Sequence, residues 1–310
     1  MNRTKYLLLF LILLVSLSFR IYINFFLPIN QHLNIPMVFM GLINLILVFT
    51  VMQRLIDIKM GLLVALLYAI SPWTAYLELA ASPYVVLLTL LLTCFVINQI
   101  FRVNKKLVLL QTAFLIFIFL FIFHQITIFT NPGLINSVNT FRGETNQTIF
   151  APLGRVIENR YVYLSEHLLF NILRQFTPAT YFTNQAQLLD FSFSPPIYLG
   201  FIIPFLFGLV KLVKSLAKND VPKVIIVFLL ILPSILSNNS PDLSRLIIVS
   251  PVIFFIISSG FYTFILNYKK RIFKIFLFLT LFLVVLQVST TFVDIATREP
   301  VRLQNIKNNG

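Results

Sequence analysis

The stretch YLLLFLILLVSLSFRIYINFFL, Tyr6–Leu27, decides the fold because it is apolar over a length that crosses a bilayer. A helix of about 20 apolar residues spans the hydrocarbon core, and this run contains a single charge, Arg20. The run follows Arg3 and Lys5 and shows no small-residue cleavage pattern. We therefore expect a retained first transmembrane helix and not a cleaved signal peptide.

The whole chain has the composition of a membrane protein. Of its 310 residues, 58% are hydrophobic and only 11% are charged, whereas about a quarter of the residues of a soluble domain are charged. The apolar runs are continuous, which favours helices over the alternating strands of a membrane barrel. The sequence predicts an all-α fold, a polytopic transmembrane helix bundle forming a single membrane domain over residues 1–310.

Apolar runs between polar segments predict about nine spans with the N terminus inside. Their bounds are near residues 6–27, 35–53, 56–72, 83–101, 107–129, 197–210, 221–237, 245–267 and 272–293. On this topology most of the 24 Lys and Arg residues fall on the inner side, as the positive-inside rule requires. Only Asp57 and Asp220 of the ten acidic residues fall there, so the charge bias agrees with the predicted count.

One long outer segment, residues 131–196, has room for structure outside the membrane. Within it, apolar residues recur at helical spacing with charged residues largely between them, which predicts an amphipathic helix along the membrane surface or capping the bundle. The apolar positions are Ile157, Tyr161, Leu164, Leu168 and Ile172.

The segment SPWTAYLELAASPYVV, Ser71–Val86, places Glu78 among apolar residues and between two Ser-Pro pairs. On the nine-span topology it joins the third and fourth spans on the outer side. Pro72 and Pro83 fit the ends of spans, where a missing amide costs little. We therefore expect Glu78 in an outward turn at the rim of a cavity, with its charge solvated.

The sequence argues against nucleic acid and against a metal or cofactor. The net charge of +14 comes from small basic clusters between apolar spans and not from one basic face. The chain has one cysteine, Cys94, and three scattered histidines, too few and too dispersed for a thiol or histidine metal site.

Several segments, taken in order, resemble the GT-C superfamily of membrane glycosyltransferases, especially the protein O-mannosyltransferase and aminoarabinose transferase branch. The Ser-Pro and Tyr of Ser71–Val86 resemble one family segment, and Arg20 resembles the family's Arg at the outer end of its first span. Three later segments are similar to the family's outer-loop, Pro-Phe-Leu and late-span motifs: Asn171–Pro178, Pro195–Val213 and Arg245–Pro251.

The resemblance implies transfer of a sugar from a polyprenyl-phosphate carrier in the membrane lipid to an acceptor on the outer face, which the sequence does not identify. Such an enzyme would act in the plasma membrane with its active face outward. Inverting transfer needs a carboxylate as general base and cations for the leaving phosphate. Arg20 and Arg245 are the candidate phosphate ligands, because a guanidinium matches phosphate oxygens in pairs.

The first outer loop departs from the family, which places its catalytic carboxylate there. Residues 28–36 contain no Asp or Glu. Three explanations stay open: a degenerate relative without transfer activity, another carboxylate as the base, or a missing segment of an ancestral enzyme. The candidate replacement bases are Glu78, Asp190 and Asp242.

Two rival functions follow from the missing carboxylate and from the spans. The chain is alternatively a non-catalytic membrane protein that binds or translocates a lipid-linked substrate. A generic ion or solute transporter is a weaker alternative, because no predicted span shows a buried pair of charges, the usual mark of a coupling site.

Overall fold

The computed structural model describes residues 2–26, 35–101, 136, 139–140, 160–183, 195–216, 230–237 and 242–309. Over these ranges the chain is helical and has no strands, which confirms the predicted all-α class. Four helices are long and apolar enough to cross a membrane, or five if a bent pair counts as one span. The total of about nine spans stays a prediction, since the predicted span 107–129 and most of 221–237 lie outside the described residues.

Most of the described helices overlap the predicted runs, although the last one continues to Asn309, well past the predicted end near residue 293. In chain order they are α1 (Asn2–Phe26), α2 (Ile35–Leu55), α3 (Ile58–Ile70), α4 (Pro72–Leu79), α5 (Pro83–Phe101), α6 (Arg160–Phe176), α7 (Ala179–Phe182), α8 (Ile202–Leu216), α9 (Leu243–Leu246), α10 (Ser250–Leu266) and α11 (Arg271–Asn309). Short 3₁₀ turns, Leu199–Phe201 and Ile247–Val249, lead into α8 and α10.

Prolines mark several helix starts. Pro36, Pro72, Pro83 and Pro251 each lie in the first turn of a helix, where the amide that proline lacks would have no intrahelical partner. This placement explains why α2 and α5 begin where the sequence predicts spans to begin.

α3 covers the third predicted span, and α4 follows it at an angle of 60°, where the sequence predicts an outer turn. Pro72 has no amide to donate to the carbonyl of Tyr68, four residues earlier. The Thr74 hydroxyl donates to that carbonyl instead, at 2.8 Å, and also to the carbonyl of Ser71, at 3.1 Å. The threonine hydroxyl therefore replaces the donor that the proline removes.

The C terminus of α4 closes with a Schellman motif built on alanine. The amide of Ser82 donates to the carbonyl of Leu77, and the amide of Ala81 donates to that of Glu78, both at 3.0 Å. Ala81 has a φ of 53°, in the left-handed region that glycine adopts without steric cost.

Ala81→Gly is expected to stabilise the fold by about 0.5–1 kcal/mol, since relief of the left-handed strain outweighs the extra chain entropy of glycine. Thermal unfolding of the purified protein in detergent measures this change. Ala80 is the matched control, because it is also exposed but has a φ of −72°. Ala80→Gly should destabilise, and equal effects of the two changes would contradict the assignment of strain to Ala81.

α8 and α10 cross with their backbones in direct contact at two glycines. A Cβ atom on Gly208 would lie 1.9 Å from the carbonyl oxygen of Ile256, and one on Gly260 would lie 1.8 Å from that of Pro204. Small residues allow such close approach between membrane helices, where packing replaces the hydrophobic effect as the driving force.

The predicted amphipathic helix is present as α6, although its apolar stripe is only partly buried. Leu168 and Ile172 pack against the core, as predicted, whereas Tyr161 is 74% exposed. The polar side chains of Asn171 and Gln175 are buried in its place. α6 is fixed by hydrogen bonds to residues 234–237, which an apolar periodicity does not reveal.

Candidate functional site

Two of the predicted site residues, Arg20 and Glu78, form an ion pair in the interior of the protein. Nε and Nη2 of Arg20 both lie 2.6 Å from Oε2 of Glu78. Both side chains are 0% exposed, so neither charge contacts solvent. The pair joins α1 to α4, beyond the break between α3 and α4.

Further hydrogen bonds complete the surroundings of the pair. The Tyr68 hydroxyl donates to Oε1 of Glu78 at 2.7 Å, so both carboxylate oxygens have donors. Nη1 of Arg20 donates to the hydroxyl of Ser16 and, at 3.5 Å, to the carbonyl of Ala69 in the last turn of α3. A cation at a helix C terminus is electrostatically favourable, so Arg20 also stabilises the end of the broken helix.

Gly41 of α2 provides the space for this pair. A Cβ atom at this position would lie 2.2 Å from Oε2 of Glu78 and 2.7 Å from Nε of Arg20. Four helices, α1 to α4, therefore converge on one neutral, hydrogen-bonded cluster. Removing charges from water costs several kcal/mol per ion, which this geometry offsets by pairing and hydrogen bonding.

The cluster corrects three predictions. Glu78 is not a solvated turn residue, because it lies in the last turn of α4 and is fully buried. Arg20 is not at the surface for a phosphate, since it is enclosed with Glu78. The expectation of no buried charge pair is also wrong, because α4, which follows the third predicted span, places Glu78 inside the bundle against Arg20 of α1.

Asp242 and Arg245 form a second pair, which has a structural role of its own. Oδ1 of Asp242 caps α9 by accepting from the amides of Ser244 and Arg245, at 3.0 and 3.2 Å. Its Oδ2 lies 2.8 Å from Nε of Arg245, and Nη1 of Arg245 donates to the carbonyl of Pro233 at 3.1 Å. The side chains are 17% and 10% exposed, so this pair, unlike the first, reaches the surface.

Aromatic residues connect the second pair to α4, α5 and α7. The guanidinium carbon of Arg245 lies 5.9 Å from the centre of the Tyr84 ring, within the range of a cation–π contact. Nε1 of Trp73 donates to the carbonyl of Leu243 at 2.9 Å, and the Trp73 and Tyr181 rings are 6.2 Å apart. Burial raises the pKa of the Tyr181 phenol, which stays neutral and donates to the backbone.

The structure thus groups four of the five predicted site residues into two separate ion pairs, and the fifth, Asp190, lies outside the described residues. Sequence reasoning missed Ser16, Gly41 and Tyr68. Of these, only Ser16 could have been predicted from local sequence, because it precedes Arg20 by four residues and lies on the same helix face.

Comparisons of the chain with protein-family models, with curated proteins and with solved structures found no match. The GT-C resemblance of the motifs therefore stays a prediction.

Proposed function

We propose that the chain is a GT-C-like membrane protein that binds a polyprenyl-phosphate-linked sugar at the outer face of the plasma membrane without transferring the sugar. One observation carries this proposal: the enclosed Arg20–Glu78 pair. Glu78, a candidate base, and Arg20, a candidate phosphate ligand, bind each other in the interior of the protein. Neither side chain is exposed to a lipid headgroup.

The state of the other described candidate base supports the same conclusion. A general base must lie within hydrogen-bond reach of the proton that it abstracts, with a lone pair to accept it. Each oxygen of Asp242 already accepts two hydrogen bonds: Oδ1 from the amides of Ser244 and Arg245, and Oδ2 from the Arg245 side chain and the Ser237 hydroxyl. Neither Glu78 nor Asp242 is thus placed to deprotonate an acceptor hydroxyl.

Arg245 is the best-placed described residue for the phosphate of the carrier. Its side chain keeps 10% exposure, whereas that of Arg20 has none. The Tyr84 ring lies beside the guanidinium and is itself buried. A phosphate would share the guanidinium with Asp242, so we expect modest affinity.

Arg245→Ala is expected to weaken binding of polyprenyl phosphate by about tenfold, the effect of losing one charge-assisted contact. Binding is measured on the purified protein in nanodiscs with a labelled polyprenyl phosphate. The control variant, Arg54→Ala, removes an exposed cation from the predicted inner end of α2 and should bind as the wild type does. Equal affinities for all three proteins would contradict the proposed role of Arg245.

A transfer assay separates binding from catalysis. Membranes containing the protein are incubated with polyprenyl-phosphate sugars and candidate acceptors, and we expect no transfer. Transfer that is lost in Asp190→Asn would overturn the proposal and make the protein an enzyme with Asp190 as its base.

The buried pair also favours a second candidate function, translocation of the lipid-linked substrate. Ionisable residues inside the membrane and discontinuous helices are features that mark transport pathways, and Arg20, Glu78 and the α3–α4 break combine them. Faster movement of labelled polyprenyl phosphate between leaflets in proteoliposomes than in protein-free liposomes would support this function over static binding.

A further inference from the structure

A cavity of about 300 Å³ lies between the start of α3, the second half of α8 and the middle of α10. This volume is at the lower end of the range of small-ligand pockets. Its polar lining consists of Asp57, Lys211, Ser259 and Tyr262, and its apolar lining includes Met60 and Phe255. None of these residues belongs to either ion pair described above.

The two charged groups at this cavity have opposite signs and do not neutralise each other. Asp57 uses Oδ1 to accept the amide of Met60 at 2.7 Å, which caps α3. Among the residues that the structure describes, no ion pair within 4 Å engages Asp57 or Lys211. Lys211 is exposed. A ligand that carries both a cation and an anion would satisfy both groups at once.

The position of the cavity relative to the charge bias indicates an amphiphile. Asp57 and Lys211 both lie in segments that the positive-inside rule places on the inner side of the membrane. The apolar side chains of Met60 and Phe255 line the same cavity, so it presents both charged and apolar groups. A headgroup with an attached hydrocarbon chain has a partner for both kinds of group, whereas a free polar solute would leave the apolar lining without a partner.

We propose that this cavity binds the headgroup of a zwitterionic phospholipid of the inner leaflet, with the phosphate on Lys211 and a primary ammonium group on Asp57. A lysine binds phosphate as a point charge, and a carboxylate accepts charge-assisted hydrogen bonds from a primary ammonium. The hydroxyls of Ser259 and Tyr262 supply further donors for the phosphate oxygens. An anionic lipid without an amine satisfies Lys211 but is repelled by Asp57.

The test measures lipid retention by the purified full-length chain in native mass spectrometry, with phosphatidylethanolamine and phosphatidylglycerol of equal chain length. We expect phosphatidylethanolamine to bind about tenfold more tightly. Lys211→Gln should weaken its binding by about tenfold. Lys214→Gln, a matched change of an exposed lysine on α8 that does not line the cavity, should leave binding unchanged.

Asp57→Asn isolates the ammonium contact. Asparagine caps a helix as well as aspartate does, so α3 should keep its start while the preference for phosphatidylethanolamine disappears. An unchanged unfolding temperature checks that the variant folds. Arg245→Ala should not alter this preference, so failure here is distinguishable from failure of the proposed function.

Three results would overturn the proposal. They are tighter or equal binding of phosphatidylglycerol, equal effects of the two lysine changes, and a preference that survives Asp57→Asn. A further arm adds soluble phosphoethanolamine as a competitor. We expect phosphoethanolamine, at the same concentration as the lipid, not to displace the lipid. Displacement would show that the ligand is a soluble zwitterion and not a lipid.

Discussion

Replacing Glu78 with glutamine is expected to lower the free energy of unfolding by roughly 3–5 kcal/mol, because it leaves the Arg20 guanidinium buried without a counter-charge. Glutamine keeps the shape of the side chain but has one acceptor oxygen where glutamate has two, so the loss combines the missing charge with a missing acceptor for either Tyr68 or Arg20. The measurement is thermal or denaturant unfolding of the purified protein in micelles.

The double variant Arg20→Met with Glu78→Gln tests the cause of this loss. It carries no unpaired charge, and apolar replacement of a buried pair is often neutral or stabilising. We therefore expect the double variant to recover at least half of the lost stability. The control is Glu166→Gln, which removes an exposed carboxylate from α6 and should have little effect. A double variant no more stable than Glu78→Gln alone would refute the ion-pair explanation.

A side chain at Gly260 is expected to separate α8 from α10 and to destabilise the protein. Even the methyl group of alanine would lie 1.8 Å from the carbonyl oxygen of Pro204, and a backbone atom cannot move aside as a flexible side chain does. Overpacking of this kind costs about 1–3 kcal/mol, and Gly260→Leu should exceed Gly260→Ala. Unfolding in micelles again gives the measurement.

Gly61 of α3 is the matched control for this crossing. A Cβ atom there has its nearest neighbour, the carbonyl oxygen of Phe49, at 3.0 Å, so Gly61→Ala should cost less than Gly260→Ala. Gly208→Ala and Gly260→Ala act on one crossing, so their combined effect should be smaller than the sum. Full additivity would indicate that the two glycines do not share a contact.

Much of the helix layout could be predicted because it depends on local sequence. Apolar length and proline position placed the start of α2 near residue 35 and that of α5 at Pro83. The ion pair of Asp242 and Arg245 could also be predicted from sequence, since residues three apart near a helix start lie close together.

The buried cluster could not be predicted because it depends on contacts between distant segments. Arg20 and Glu78 are 58 residues apart in sequence, and hydropathy identifies a charge without identifying its partner. A nine-span scheme of straight helices puts Glu78 at an outer turn. The 60° bend after Ile70 moves it into the bundle, and the turn propensity of Ser-Pro does not specify that direction.

The separation of Arg20 from Glu78 also bears on how the chain enters the bilayer. Synthesis delivers the arginine first, and a guanidinium within a membrane helix costs up to about 3 kcal/mol on insertion scales until something compensates it. α1 therefore reaches its final energy only when α4 has been made and docked. On this geometry, the insertion of α1 is complete only after α4 has followed it, so the two helices integrate cooperatively.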